Sequence, residues 1–280
     1  MRPKITLRTL IRRFWKKALV TWVLVLCEAL ILLVMPLVIG WAVDDLIHRD
    51  SRGLAQLAVL CMSLLVVGAG RRFYDTRVYS GIYKKVSAEM VDREKQKNTA
   101  LSRVSARMNL FTEFVEFLEN ALPDIFTHLV GLAGTLLIIV FMDIRVFLAC
   151  IGGIAVTALI YMLSKFKMMH LNKGQNDVFE QQVDVLASGS SRRLDTYLAS
   201  LMRWNIRLSD LETLNFSLTW MVLTLVLLFT LVVTASSGTA GFGHILTMVM
   251  YVFGFIESIL AFPLYYQQMV RLQEIAGRLG

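Results

Sequence analysis

Ionisable side chains lie in the middle of long apolar stretches of this sequence, where a charge is costly. The clearest examples are Glu28, Asp124, His128 and Glu257. On insertion scales a charged residue at the centre of a membrane helix costs roughly 2.5–3.5 kcal/mol, and such residues commonly carry proton or ion pathways. We therefore predict that these residues line a proton or cation path, or a wet cavity that attracts cationic or amphipathic solutes.

A polar stripe contains two of these residues. Glu116, Asn120, Asp124 and His128 recur every fourth residue, which places them along one face of a helix. The functional interpretation is a path along which His128 exchanges protons with neighbouring carboxylates. The alternative is that the glutamates before Asp124 lie outside the membrane, and that Asp124 and His128 hydrogen-bond to a neighbouring helix.

Glu28 and Glu257 each stand alone among apolar residues, and none of the predicted spans contains a Lys or Arg that could neutralise them. This isolation predicts that both carboxylates face a water-filled cavity. Replacement of either by Gln is then expected to lower solute flux while stability is unchanged or slightly raised. The alternative is that each glutamate stays protonated and donates a hydrogen bond to a backbone carbonyl.

The last apolar stretch is rich in aromatic residues. Phe253, Phe255 and Phe262, followed by Tyr265 and Tyr266, are predicted to line a pocket for a hydrophobic compound. Packing against lipid and anchoring at the membrane interface are the alternative explanation for the same residues.

Metal and cofactor chemistry has little support in the sequence. Asp44, Asp45 and His48 form a weak metal-like cluster, for which a solvated loop is the better explanation. The three cysteines lie in apolar stretches without C-x-x-C spacing, and we interpret them as small buried hydrophobic residues. We predict no metal, no cofactor and no catalytic residue.

The composition shows in what environment these residues must work. Of 280 residues, 56% are hydrophobic and 18% are charged, and the mean hydropathy is +0.60, which indicates a membrane protein and excludes a disordered or collagen-like chain. The net charge of +8 comes from Lys and Arg that flank the apolar runs. A nucleic-acid partner is therefore excluded.

Roughly 20 apolar residues are needed to cross a bilayer, and this criterion finds six spans. We predict an all-α membrane protein with spans at Ala18–Trp41, Leu54–Gly70, Leu118–Met142, Val146–Ser164, Phe216–Ser236 and Ile245–Met269. All but three of the 29 basic residues fall on one side, so we place both termini in the cytoplasm of a bacterial-type inner (plasma) membrane. The domain is 18–269, preceded by a basic cytoplasmic N-terminus, 1–17, and followed by a cytoplasmic tail, 270–280.

Two cytoplasmic connections, about 71–117 and 165–215, are too long to be structureless, and their composition favours helix. The first is predicted to continue the second span, to turn near Asn98–Ser105 and to return. The second is predicted to turn at Gly189–Ser191, before an amphipathic helix that contains Tyr197, Leu201 and Trp204.

Six spans with short outer loops and two long cytoplasmic helical hairpins resemble the transmembrane domain of exporter-type ABC transporters. Leu122–Pro123, Phe141–Arg145 and Lys165–Lys173 resemble the family's equivalent segments. The resemblance implies a domain-swapped homodimer, a substrate cavity near the bilayer midplane, and hairpin tips that dock onto an ATPase. By position in the hairpins, the coupling residues are Asn98, Arg103, Tyr197, Leu201 and Trp204.

The 280 residues contain no G-x-x-x-x-G-K-[ST] phosphate-binding loop. We therefore expect a permease subunit that is powered by an ATPase on a separate chain and moves a hydrophobic, amphipathic or cationic solute. Two alternatives remain at this point. One is a proton-coupled secondary transporter on the same fold, and the other is a membrane scaffold that binds a partner without transport.

Overall fold

The computed structural model describes residues 7–96, 101–236 and 241–279, and these residues are helical almost throughout. The predicted turn residue Asn98 lies outside the described residues. Within these described ranges, eight α-helices follow one another, with a π-helical turn between α3 and α4. In chain order they are α1 (Leu7–Ile47), α2 (Arg52–Gln96), α3 (Leu101–Glu116), the π-turn (Phe117–Ala121), α4 (Leu122–Met142), α5 (Ile144–Glu180), α6 (Gln182–Ala187), α7 (Ser191–Ser236) and α8 (Phe242–Leu279).

In the part of the chain that the structure describes, six helical segments are long and apolar enough to cross a membrane, which confirms the predicted number of spans. Several of these helices are much longer than a bilayer requires. With 45 residues at 1.5 Å per residue, α2 is about 68 Å long, whereas the hydrocarbon core is about 30 Å thick. The second span therefore continues as a single helix beyond the membrane, as the sequence predicts.

The chain divides into two compact units. The first unit comprises α1 to α4 and the end of the chain from Thr234, which includes α8. Within it, α1 packs against α2, α4 and α8. At the first hairpin, α2 and α3 share a core of Tyr79, Val86, Phe111, Phe114 and Val115.

Glycines bring α1 and α8 into close contact within the first unit. A Cβ atom at Gly40 would overlap the Thr247 side chain and the Gly243 carbonyl, and a Cβ at Gly243 would overlap the Gly40 carbonyl. Close to this crossing, Pro36 interrupts the hydrogen bonding of α1. Thr247 Oγ1 donates to the Pro36 carbonyl at 3.0 Å, and the Tyr251 hydroxyl donates to the Leu33 carbonyl at 2.8 Å. Two side chains of α8 thus hydrogen-bond to the backbone of α1 around the proline.

The second unit comprises α5, α6 and α7 as far as Val233. Here α5 and α7 run antiparallel: Gly153 faces Val226, Ser164 Oγ donates to Asn215 Oδ1 at 2.6 Å, and Gly174 faces Trp204. Over about 30 Å, the residue numbers of these contacts rise along α5 while they fall along α7. Gly189, with a φ of +60°, lies in the turn before α7, which confirms the predicted turn at Gly189–Ser191.

Candidate functional site

Glu28 is not isolated. Arg71 Nε lies 2.5 Å from Glu28 Oε2, and the side chains of Arg71 and Glu28 are only 12% and 15% exposed. The prediction of an unpaired carboxylate is therefore wrong. Arg71 directly follows the second apolar stretch and was counted as outside it, but the packing of α1 against α2 brings its guanidinium to the level of Glu28.

The same arginine extends the ion pair into a network. Arg71 Nη1 lies 3.5 Å from Asp75 Oδ2, and Thr21 Oγ1 donates to Asp75 Oδ1 at 2.7 Å. Thr21 and Asp75 are both buried. Two contacts from α1, at Thr21 and Glu28, thus flank one arginine–aspartate pair on α2. Arg71 and Asp75 were not among the predicted site residues, although their i,i+4 spacing on one helix is a signal for such a pair.

A polar pocket of ≈ 320 Å³ lies next to this network. Its lining includes Arg71, Arg72 and Asp75 from α2 and, across from them, Glu119, Asn120 and Asp124. Glu119 and Asn120 belong to the π-turn, in which the Leu122 N–H donates to the Phe117 carbonyl five residues earlier. Turns of this kind often occur at functional sites in helices. The predicted residue Asp124 thus lies with charged residues of both signs.

His128 lines a different pocket from Asp124, although the two are four residues apart. This second pocket is apolar, with a volume of ≈ 320 Å³, and lies between α1, α4 and α8. The His128 and Tyr265 rings are 5.1 Å apart, and the Trp22 and Phe126 rings meet edge to face at 5.0 Å. Phe262 lines the same pocket. The polar stripe therefore divides between two pockets, and Glu116 is exposed outside both.

The other predicted residues of α8 have different environments. Phe262 is exposed and lines the apolar pocket, whereas Phe253 is exposed elsewhere on the helix. Phe255 is completely buried at 0% exposure and contributes to helix packing. Glu257 is exposed on the surface of the chain. Among the predicted aromatic residues with described side chains, Phe262 and Tyr265 thus meet in one pocket.

Comparison with known protein families agrees with this architecture. A family model described as the ABC transporter transmembrane region matches residues 7–243. The chain belongs to this family. No curated protein matches the sequence. Membership identifies the chain as a multi-pass membrane protein and a transporter subunit, and it confirms the resemblance that was drawn from the six spans and the two hairpins.

In this family the tips of the cytoplasmic hairpins are the expected contacts with an ATPase. The structure forms the second tip from the short helix α6, with Val183 74% and Leu186 59% exposed. Neither residue was among the predicted coupling residues.

Of the coupling residues inferred by position, three lie on α7. Tyr197 and Leu201 are buried in the second unit, and Trp204 packs against Gly174 with the Arg207 guanidinium 5.6 Å from its ring centre. Arg103 lies in α3, but its side chain is outside the described residues, as is Asn98.

Asp44 and Asp45, the carboxylates of the weak metal-like cluster, act as helix caps. Asp44 Oδ1 accepts a hydrogen bond from the Gly243 N–H at 2.7 Å, and Asp45 Oδ2 accepts one from the Gly53 N–H at 2.8 Å. These amides lie at the starts of α8 and α2, where backbone N–H groups lack partners within the helix. Within the described residues no cluster of three or more potential metal ligands occurs.

Proposed function

We propose that this chain is the permease subunit of an exporter-like ABC transporter and that it moves a hydrophobic, amphipathic or cationic solute. The observation that supports the solute class is the apolar pocket between α1, α4 and α8. Trp22, Phe126, Phe262 and Tyr265 offer aromatic rings to a flat or cationic compound. The surface that the lining residues present to the pocket is almost entirely apolar, which suits a hydrophobic solute.

The proposed energy source is an ATPase on a separate chain, which membership of the ABC transporter family favours. These 280 residues themselves contain no phosphate-binding loop. The exposed aliphatic residues Val183 and Leu186 on α6 provide the docking contact. Because α6 connects α5 to α7, movement of the ATPase at this tip is transmitted directly to two spanning helices.

The proposed assembly is a homodimer in which helices are exchanged between protomers. Its support is the division of the chain, since α5 and α7 form a unit separate from α1 to α4. Leu163 and Phe166 on α5 are more than two-thirds exposed in the single chain. Such surfaces pack against either lipid or a second copy, and family membership favours the second copy.

A proton-coupled transporter on the same fold is the second candidate. The observation that favours it is the grouping of Asp75, Glu119 and Asp124 around the polar pocket. The ion pair between Glu28 and Arg71 argues against it, because it removes one of the two apparently isolated carboxylates from the predicted proton path. His128 is also separated from these carboxylates, in the apolar pocket.

The experiment reconstitutes the chain in liposomes with a nucleotide-binding subunit encoded beside it, and follows the hydrophobic cation tetraphenylphosphonium. We expect ATP-dependent flux, which Phe262→Ala lowers severalfold by raising the half-saturating concentration. Phe253→Ala is the matched control, because Phe253 is an exposed residue of the same helix outside the pocket.

Other outcomes identify the competing functions. Flux driven by a proton gradient without ATP would establish the secondary transporter. A stable complex with a soluble partner and no flux under either condition would establish the scaffold. Equal effects of Phe262→Ala and Phe253→Ala on flux would contradict the apolar pocket as the solute site.

The proposed orientation places both termini in the cytoplasm, on the side that holds all but three of the 29 basic residues. A reporter fused after Gly280 is expected to be active only if it functions in the cytoplasm. Activity of a reporter that requires the periplasm would reverse the orientation of every span.

A further inference from the structure

A groove runs along the surface where α1 and α2 meet, with a volume of ≈ 1020 Å³. Its apolar part is lined by Leu32 from α1 and by Leu64, Leu65, Gly68 and Ala69 from α2. From Leu64 to Arg77 the groove follows α2 for about 20 Å. Its apolar part lies within a helix that is long and apolar enough to cross a membrane.

The other end of the groove is positively charged. Arg72 and Arg77 line it, and Arg72 has no ion-pair partner among the described residues. Arg77 donates to the Phe73 carbonyl at 2.8 Å and stacks over the Phe73 ring, which leaves further N–H donors available. Glu28 also lines the groove, but its charge is neutralised by Arg71. The charged end therefore matches an anionic group.

The charged end of the groove adjoins the polar pocket, because Arg72 and Thr76 line both cavities. On the far side of the polar pocket lie Glu119 and Asp124, neither of which forms a salt bridge within the described residues. An apolar groove, two arginines and two carboxylates thus follow one another. This order corresponds to an acyl chain, a phosphate and an ammonium group.

We propose that the groove and the polar pocket together bind one aminophospholipid, of the phosphatidylethanolamine type. The acyl chain lies against Leu64, Leu65 and Ala69. The phosphate is bound by Arg72 and Arg77. The ammonium group donates hydrogen bonds to Glu119 and Asp124.

The depth of the site agrees with a lipid headgroup. Tyr74 lies between the two arginines in sequence, and its hydroxyl donates to the Lys17 carbonyl of α1 at 3.5 Å. Trp15, one half-turn before Lys17, is 53% exposed. Tyr and Trp residues with neighbouring Lys and Arg mark the membrane–water interface. The phosphate position therefore lies where headgroups are.

The test measures lipid binding to the purified full-length chain by native mass spectrometry, with dioleoyl phosphatidylethanolamine, phosphatidylglycerol and phosphatidylcholine. We expect phosphatidylethanolamine to bind most tightly, since it alone carries both a phosphate and a hydrogen-bonding ammonium group. Arg72→Gln with Arg77→Gln should lower the affinity for phosphatidylethanolamine and phosphatidylglycerol about thirtyfold, which corresponds to about 1 kcal/mol per arginine. Lys84→Gln with Lys85→Gln is the matched control, because these exposed cations lie further along α2, outside the groove.

A second variant tests the ammonium position by selectivity, which a folding defect does not imitate. Glu119→Gln with Asp124→Asn should abolish the preference for phosphatidylethanolamine over phosphatidylglycerol, while phosphatidylglycerol still binds. Ala69→Trp should block the groove and weaken both lipids, but not the binding of O-phosphoethanolamine, the headgroup alone. An unchanged preference in the carboxylate variant would overturn the proposal.

A photo-crosslinking residue at Phe73, which is exposed in the groove, identifies the occupant directly. An adduct with the mass of an aminophospholipid supports the proposal. A covalent dimer of the chain would show that a second copy fills the groove and would overturn it. Neither measurement uses ATP or a transported solute, so the result is independent of the proposed transport activity.

Discussion

Arg71 on α2 and Glu28 on α1 are 43 residues apart in the sequence, and their side chains meet at 2.5 Å in a partly buried ion pair. A pair of this kind changes the expected consequence of mutating Glu28. Replacing an isolated glutamate by Gln removes the free-energy cost of holding an unpaired charge in the membrane. For a paired one, Gln leaves the charge of Arg71 without its main partner.

We therefore predict that Glu28→Gln destabilises the chain by about 3 kcal/mol, the lower end of the range for breaking a buried pair, since Asp75 still faces Arg71. The measurement is the thermal midpoint in detergent. Glu28→Gln combined with Arg71→Gln should cost less than the sum of the single variants. Glu257→Gln, on an exposed glutamate, is the control and should leave the midpoint unchanged. Strictly additive effects would show that the pair contributes nothing.

Asp44 and Asp45 cap two different helices from adjacent positions at the end of α1. Asp44→Ala and Asp45→Ala should each lower stability by about 1 kcal/mol through loss of a cap. Asp44→Asn keeps an oxygen acceptor for the Gly243 N–H and should retain most of the stability. Equal loss in Asp44→Asn and Asp44→Ala would assign the effect to charge instead of to the cap.

The crossing of α1 and α8 depends on Gly40 and Gly243. Gly40→Ala and Gly243→Ala should each destabilise the chain by about 1–3 kcal/mol, because the added methyl group meets backbone atoms that cannot move aside cheaply. Gly254→Ala is the matched control on α8, since a Cβ there meets nothing within 4 Å. A thermal midpoint in Gly40→Ala equal to that of Gly254→Ala would contradict the close approach.

The α6 tip yields a prediction about assembly. Val183→Ser with Leu186→Ser should abolish co-purification with the nucleotide-binding subunit without a change in thermal midpoint, because both side chains are exposed and support no core. Met202→Ser, at a half-exposed position of α7 away from the tip, is the control. If both sets of variants bound the subunit equally well, α6 would not be the docking contact.

Hydropathy and charge determined much of this protein from the sequence alone. The six spans, the continuation of α2 beyond the membrane and the turn at Gly189 were all predicted, and the structure contains each of them. These features depend on residues close together in the chain. The cost of placing polar backbone or charge in lipid, and the backbone freedom of glycine, act locally.

The partners of the ionisable residues were decided only by the tertiary structure. The pairing of Glu28 with Arg71 depends on how far α2 is rotated and shifted against α1, which the composition of neither helix specifies. The division of the stripe, with Asp124 in the polar pocket and His128 in the apolar one, depends on which helices pack on each side of α4. Helical periodicity predicts on which face of its helix a side chain lies. The packing of the helices against one another determines which residues that face contacts.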